Sequence, residues 1–195
     1  MVLKELKTDE FFFKYILITG LSNIRMSFDE IQEKLSTICN ENQVIIQIFN
    51  AELVADWEHL FFSAIHSLEA FKQGKNLSNK LDIELLLYAS GQHQIKVAID
   101  KFGIRLETEN IALLIMSNSI ELLENAKLSI FKLIKGTEDE SILKINENKF
   151  RKLCEIFKIS SLEIETASDS ADWEDKIEAL KQIVLNRIAF LIFEI

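Results

Sequence analysis

Three histidines, two cysteines and a large stock of carboxylates are the raw material for chemistry in this 195-residue chain. His59 and His66 lie seven apart on what reads as one helix, with Glu58 beside the first. That spacing puts both rings on one face, but a helical metal site uses the closer i, i+4 pairing, so they read as partly exposed helix histidines. Cys39 and Cys154 are far apart and each falls within a helical apolar pattern, which reads as two reduced core thiols rather than a disulfide. The carboxylates are spread over helix faces, where solvated surface is the default. The sequence has no glycine-rich phosphate loop, GxSxG elbow, paired helical histidines around a Glu, or CxxC. No catalytic residue, metal or cofactor is expected.

The distribution of basic charge says more. Between Lys72 and Arg105 stand six basic residues (Lys72, Lys75, Lys80, Lys96, Lys101, Arg105) and three acidic ones (Asp82, Glu84, Asp100). That segment is +3 in a chain of net charge −9, so the remainder carries −12. An acidic protein repels phosphate at long range, and any RNA contact must be local. The same segment holds Tyr88, Ser90, Gly91, Gln92, His93 and Gln94 at an expected strand-to-helix turn. Amides at a helix N-terminus can accept an anion, and glutamines and an imidazole can bond to base edges or stack on them. A charge fluctuation beside an ordinary polar turn is the competing reading. The segment from Asn186 to Ile195 is apolar on nearly every face of its helix, so it is either sunk in its own core or covered by a partner.

Those residues need elements to hold them. Phe12–Ile18 and Gln43–Phe49 are rich in Ile, Val and Phe and read as strands. Between them Ser27 and Glu30 form a capping box for a helix over 28–40. Asp56 caps a second helix, whose Trp57, Leu60, Phe61, Ala64, Ile65, Leu68 and Phe71 keep helical spacing. Lys72–Lys80 is a polar loop, and Asp82–Tyr88 reads as a buried strand, although period alone leaves a helix open. Ser90 is expected to cap a helix bearing Ile95, Ala98, Ile99 and Phe102, with Gly103 as its left-handed C-terminal residue. Ile111–Met116 is a strand, 119–135 a helix ending at Gly136, and Ser141–Ile145 a short strand. Asn146 caps a helix, a small turn or helix follows near Ser161–Thr166, and a long final helix begins near Trp173. This predicts one α/β domain over 1–195, with α+β the alternative: a small mixed sheet of four to five strands flanked by helices. The longest uncharged stretches, Asn110–Ile120 and Tyr15–Ile24, are too short for a membrane span, and the early Glu5, Asp9 and Glu10 argue against a signal peptide. A cytoplasmic chain with no membrane partner is expected.

The run WEHLFFSAIHSLEAFKQGKNLSNKLDIELLLYASGQHQIKVAIDKFGI, followed by ENIALLIM, resembles the kinase-regulatory subunit of the KEOPS (EKC) tRNA-modification complex, the PRPK-binding protein family. The best-matching stretch is Trp57–Met116, and the C-terminal NRIAFLIF also fits. The resemblance implies a non-catalytic subunit that binds the N-terminal lobe of the complex's small atypical kinase and stimulates its ATPase activity. It also implies that the chain holds the single-stranded 3′ CCA end of tRNA for threonylcarbamoyl-adenosine formation. Carried onto this sequence, RNA contact falls on Lys72, Lys75, Asn76, Asn79, Tyr88, Ser90, Gly91, Gln92, His93, Gln94 and Ile95, with a core role equally open for Tyr88. Kinase contact falls on Val184, Arg187, Ile188, Leu191 and Ile192. Archaeal relatives often carry Arg or Lys where this chain has His93, which implies weaker or more pH-dependent RNA binding. A kinase-binding module without RNA binding, or an unrelated small α/β enzyme, are the alternatives.

Overall fold

The continuous apolar run Ile111–Ser117 becomes the central strand of a sheet, in a computed structural model that describes residues 1–6, 11–24 and 28–191. The strands are β1 (Val2–Glu5), β2 (Tyr15–Ser22), β3 (Ile45–Asn50), β4 (Ile111–Ser117) and β5 (Thr137–Glu138). Their order is β1-β2-β4-β3, with β5 also pairing β2. Leu17 and Ile46 flank Ile115 in register, and every pairing is antiparallel, where a mixed sheet was expected. Class and strand number are as the sequence predicts.

All seven residues of β4 are buried because both faces of the sheet are covered. On one face Leu17, Ile46, Ile48, Leu113 and Ile115 meet α1 (Phe28–Asn42) and α5 (Ile120–Ile134) through Ile31, Ile38, Leu123 and Ile130. The other face, with Ile16, Ile18, Phe49, Leu114 and Met116, meets the remaining helices. These are α2 (Trp57–Gln73), α3 (Leu81–Ser90), α4 (Ile95–Phe102), α6 (Glu147–Ile156), α7 (Ser161–Ala167) and α8 (Trp173–Phe190). Full burial of each Leu or Ile contributes about 1.5–3 kcal/mol, so β4 is the main anchor of the core. β3 is an edge strand, and the side-chain amide of its own Gln47 donates to the Ile48 carbonyl at 2.9 Å. Gly20 lies in β2 because a Cβ there would come within 2.5 Å of the Asp139 carbonyl.

Several expectations change. Asp82–Tyr88 is helical, within α3: residues 84–90 are all buried, so no polar stripe marks the helical period. Its leucines suit a helix buried all round as well as a strand. Ser90 ends α3 instead of capping α4; its hydroxyl donates to the Leu87 carbonyl at 3.0 Å. Gly103 has φ −66, and the left-handed turns fall at Gly74 and Gly91. Lys135, one residue before Gly136, takes the left-handed position after α5. The expected strand over Ser141–Ile145 is a 3-10 turn over Glu140–Leu143, started by Asp139 accepting from the Ser141 amide at 2.9 Å. The strand expected at Phe12–Ile18 begins at Tyr15, and the short β1 carried no apolar run to announce it. The Ser27–Glu30 capping box lies outside the described residues.

His59 is buried, not partly exposed. Nδ1 accepts from the Ala55 amide at 3.1 Å and Nε2–H donates to the Ala89 carbonyl at 2.9 Å, so the ring is the neutral Nε2–H tautomer. Phe102 and Phe157 meet it edge-on. Burial lowers its pKa to about 4, with the nearby Lys149 pushing the same way, against a rise from the Ala89 bond and Asp56. The unfolded chain takes up a proton near pH 6.5 and the folded chain resists until about pH 4. Stability is therefore lost as pH falls between those values, by about 3 kcal/mol in all. Urea unfolding at pH 7, 6, 5 and 4 should show this fall, and His59→Gln, which also accepts and donates, should flatten it. Equal slopes in the two proteins would refute the assignment.

Candidate nucleic-acid interface and the end of the last helix

α2 starts at Asp56, whose carboxylate accepts from the His59 amide at 2.9 Å, and ends at Gly74, φ +66. The loop expected over Lys72–Lys80 therefore begins only after Gln73: Lys72 is exposed on the last turn of α2, and Lys75 and Asn79 are exposed on the loop itself. Asn76 is half-buried and its side-chain amide donates to the Ser78 carbonyl at 2.9 Å, so it shapes the loop. The loop precedes α3, whereas the polar turn 91–94 follows it. α3 has ten residues and is about 15 Å long, so the two halves of the candidate RNA set sit at opposite ends of a buried helix.

At the turn, Gly91 has φ +59, which only glycine adopts without strain. The Gly91 amide donates to the Tyr88 carbonyl at 3.0 Å and the Gln92 amide to Leu87 at 3.1 Å. Those amides close α3 and are spent, so an anion cannot use them. Ser90 is buried and its carbonyl accepts from the Gln92 side chain. Tyr88 is fully buried, stacks on His66 with centroids 5.8 Å apart, and packs with Ala70, Leu77 and Leu191. Of the two roles open to it, the structure realises the core one. Its hydroxyl has no hydrogen-bond partner among the described residues, and burial pushes its pKa up to about 12. His93, Gln94 and Ile95 remain on the surface, with Gln92 half-buried. Gln94 is the N-terminal cap position of α4, with no side-chain bond to the helix. The helix start is thus displaced from Ser90 to Gln94.

The kinase set divides between core and surface. Val184 and Ile188 are fully buried and Leu191 nearly so, because α8 packs them against its own core. Arg187 is exposed and pairs with Glu163 at 2.6 Å, and Ile192 lies outside the described residues. Phe190 is 61% exposed. Gly91 and Gln92 line one cleft with Ile156, Phe157, Lys158, Arg187, Phe190 and Leu191, of about 520 Å³. The structure therefore brings the polar turn to the end of α8, although the sequence separates them by some 95 residues. Lys158 had no sequence signal; it reaches the cleft from a left-handed turn after α6, φ +54.

Among the described residues both cysteines are free, and no cluster of three or more His, Cys, Asp or Glu side chains could hold a metal. No described helix is long and apolar enough to cross a membrane.

A family model described as kinase binding protein CGI-121 matches residues 21–191. The regulatory protein Cgi121 of Methanocaldococcus jannaschii is 36% identical over 113 residues, 58% of this chain and 70% of that protein. The chain belongs to the CGI-121 family.

Ile188→Glu would bury an unpaired carboxylate, and the expected result is loss of the cooperative thermal transition. Arg187→Glu, on the exposed side of the same helix, should shift stability by about 0.5 kcal/mol or less. A folded Ile188→Glu protein with an unchanged melting temperature would contradict the packing of α8.

Proposed function

We propose that this CGI-121 family member is a non-catalytic regulatory subunit of a KEOPS-type tRNA-modification complex, acting as one cytoplasmic domain. In this reading it binds and activates the small atypical kinase of that complex and holds the 3′ CCA end of tRNA. The observation that carries the kinase half is the match of residues 21–191 to a kinase-binding family. With Val184, Ile188 and Leu191 buried, the kinase contact is assigned to the outer side of the α8 end, at Arg187 and Phe190.

The RNA half is supported by the placement of the basic island. Lys72, on the last turn of α2, and Lys75, on the loop that follows, are exposed and suit phosphates, which position a strand without reading it. His93, Gln94 and Ile95 begin α4 on the surface, where a stacked or hydrogen-bonded base is accommodated. Because α3 separates the groups by about 15 Å, the lysines would meet the strand upstream and the turn would take its end. In this reading the RNA end would lie in the cleft beside Gln92, next to the α8 surface assigned to the kinase, and the shared lining of that cleft supports it.

Fluorescence anisotropy with intact tRNA and with tRNA trimmed of its CCA, across a salt series, tests this. Intact tRNA should bind tighter, and Lys75→Glu should weaken binding and flatten the salt dependence by about one phosphate contact. Phe190→Ala should reduce kinase affinity about tenfold without changing the melting temperature. Kinase binding without any RNA binding would leave a pure kinase regulator. Equal affinity for the two tRNAs would remove the CCA assignment.

A further inference from the structure

The loop between α2 and α3 holds Gly74, Asn76, Ser78 and Asn79, residue types that suit turns and, unrestrained, many conformations. It is nevertheless tied down from beneath. Glu84, in α3, is fully buried. One of its carboxylate oxygens accepts from the Leu77 amide at 3.1 Å and the other from the Ser78 amide at 2.7 Å. The Ser78 hydroxyl in turn accepts from the Lys80 amide at 3.1 Å, and the Leu77 side chain packs beside Ala70 and Tyr88. Lys75, Asn79 and Lys80 are left pointing outward.

The charge arrangement is unusual for a merely structural turn. A carboxylate sits buried within the most basic segment of the chain, and no lysine or arginine pairs with it among the described residues. Two consecutive loop amides meet its charge, helped by its place near the N-terminal end of α3. A buried charge is tolerated only while its hydrogen bonds hold, so the carboxylate enforces one loop shape. Asp82, two residues earlier and identical in charge, is half-buried and makes no such contact.

We propose that Glu84 is a positioning residue that pre-organises the basic loop for RNA, an assignment that rests on the RNA reading above. Holding the lysines in place before binding lowers the ordering cost paid on association. Glu84 touches no phosphate itself; it acts through Leu77 and Ser78.

The test uses Glu84→Gln in the full chain, with amide hydrogen exchange by NMR and binding of a single-stranded RNA ending in CCA. In the wild-type chain the Leu77 and Ser78 amides should exchange at least about tenfold more slowly than an open loop. Glutamine has the same shape but one acceptor oxygen, and its amino group faces the second donor. Exchange at one or both amides should then quicken about tenfold. Affinity should drop about three- to tenfold while the slope of log affinity against log salt stays at the wild-type value, because every lysine remains. Lys75→Gln should instead reduce that slope. Ser78→Ala, which removes the tie to Lys80, carries the same test from the loop side should the Glu84 variant not fold, with a loss of about twofold. Unprotected wild-type amides would overturn the clamp. Faster exchange with unchanged affinity would overturn the positioning role. If the wild-type chain binds no RNA, the RNA reading falls and the positioning role with it, whereas the exchange result still decides the clamp.

Discussion

A neutral imidazole joining two helices is the constraint on which the site depends. His59 accepts from Ala55, just before α2, and donates to Ala89, near the end of α3. One side chain thus sets the start of the second helix, the end of the third, and hence where the turn at Gly91 emerges. Histidine suits this because its two nitrogens accept and donate on opposite sides of a rigid ring. Burial keeps the ring neutral, which preserves the acceptor that Ala55 requires.

Around that hinge the protein separates its charges. The body is acidic, and the surface near α3 is locally basic. A field of net negative sign discourages indiscriminate contact with phosphate, while lysines on a fixed loop favour it at one place. Under the proposed reading, such a surface suits a short, defined stretch of nucleic acid and not a long polyanion. The cleft between the Gly91 turn and the end of α8 lies where such a stretch would stop.

The last helix shows how an apolar stripe misleads. Val184, Ile188 and Leu191 have the spacing of a docking face, but the same spacing serves a helix that completes its own core. Here the core takes them, and Arg187 and Phe190 stay on the outer side of the helix. Arg187 in turn ties α8 to Glu163 of α7, whose N-terminus is a reciprocal Ser160–Glu163 capping box.

Much of this was legible locally. Asp56 and Asn146 cap the helices that the residue pattern assigned to them, and Ile111–Met116 is the central strand. These features depend on neighbours in the chain: a cap needs an amide three residues on, and an apolar run needs only its own composition. The family resemblance is likewise a property of residue order. Other outcomes needed the fold. A segment buried on all sides carries no period, so α3 passed for a strand until its surroundings were in place. Glu84 and Asp82 are the same kind of acid two residues apart, yet only one faces the loop amides. Residue types and order thus determined the helix caps, the central strand, the basic island and the family. Tertiary packing alone decided which histidine, glutamate and tyrosine are buried, and which cluster meets which, because burial and long-range contact are properties of neighbours that the chain brings together only on folding.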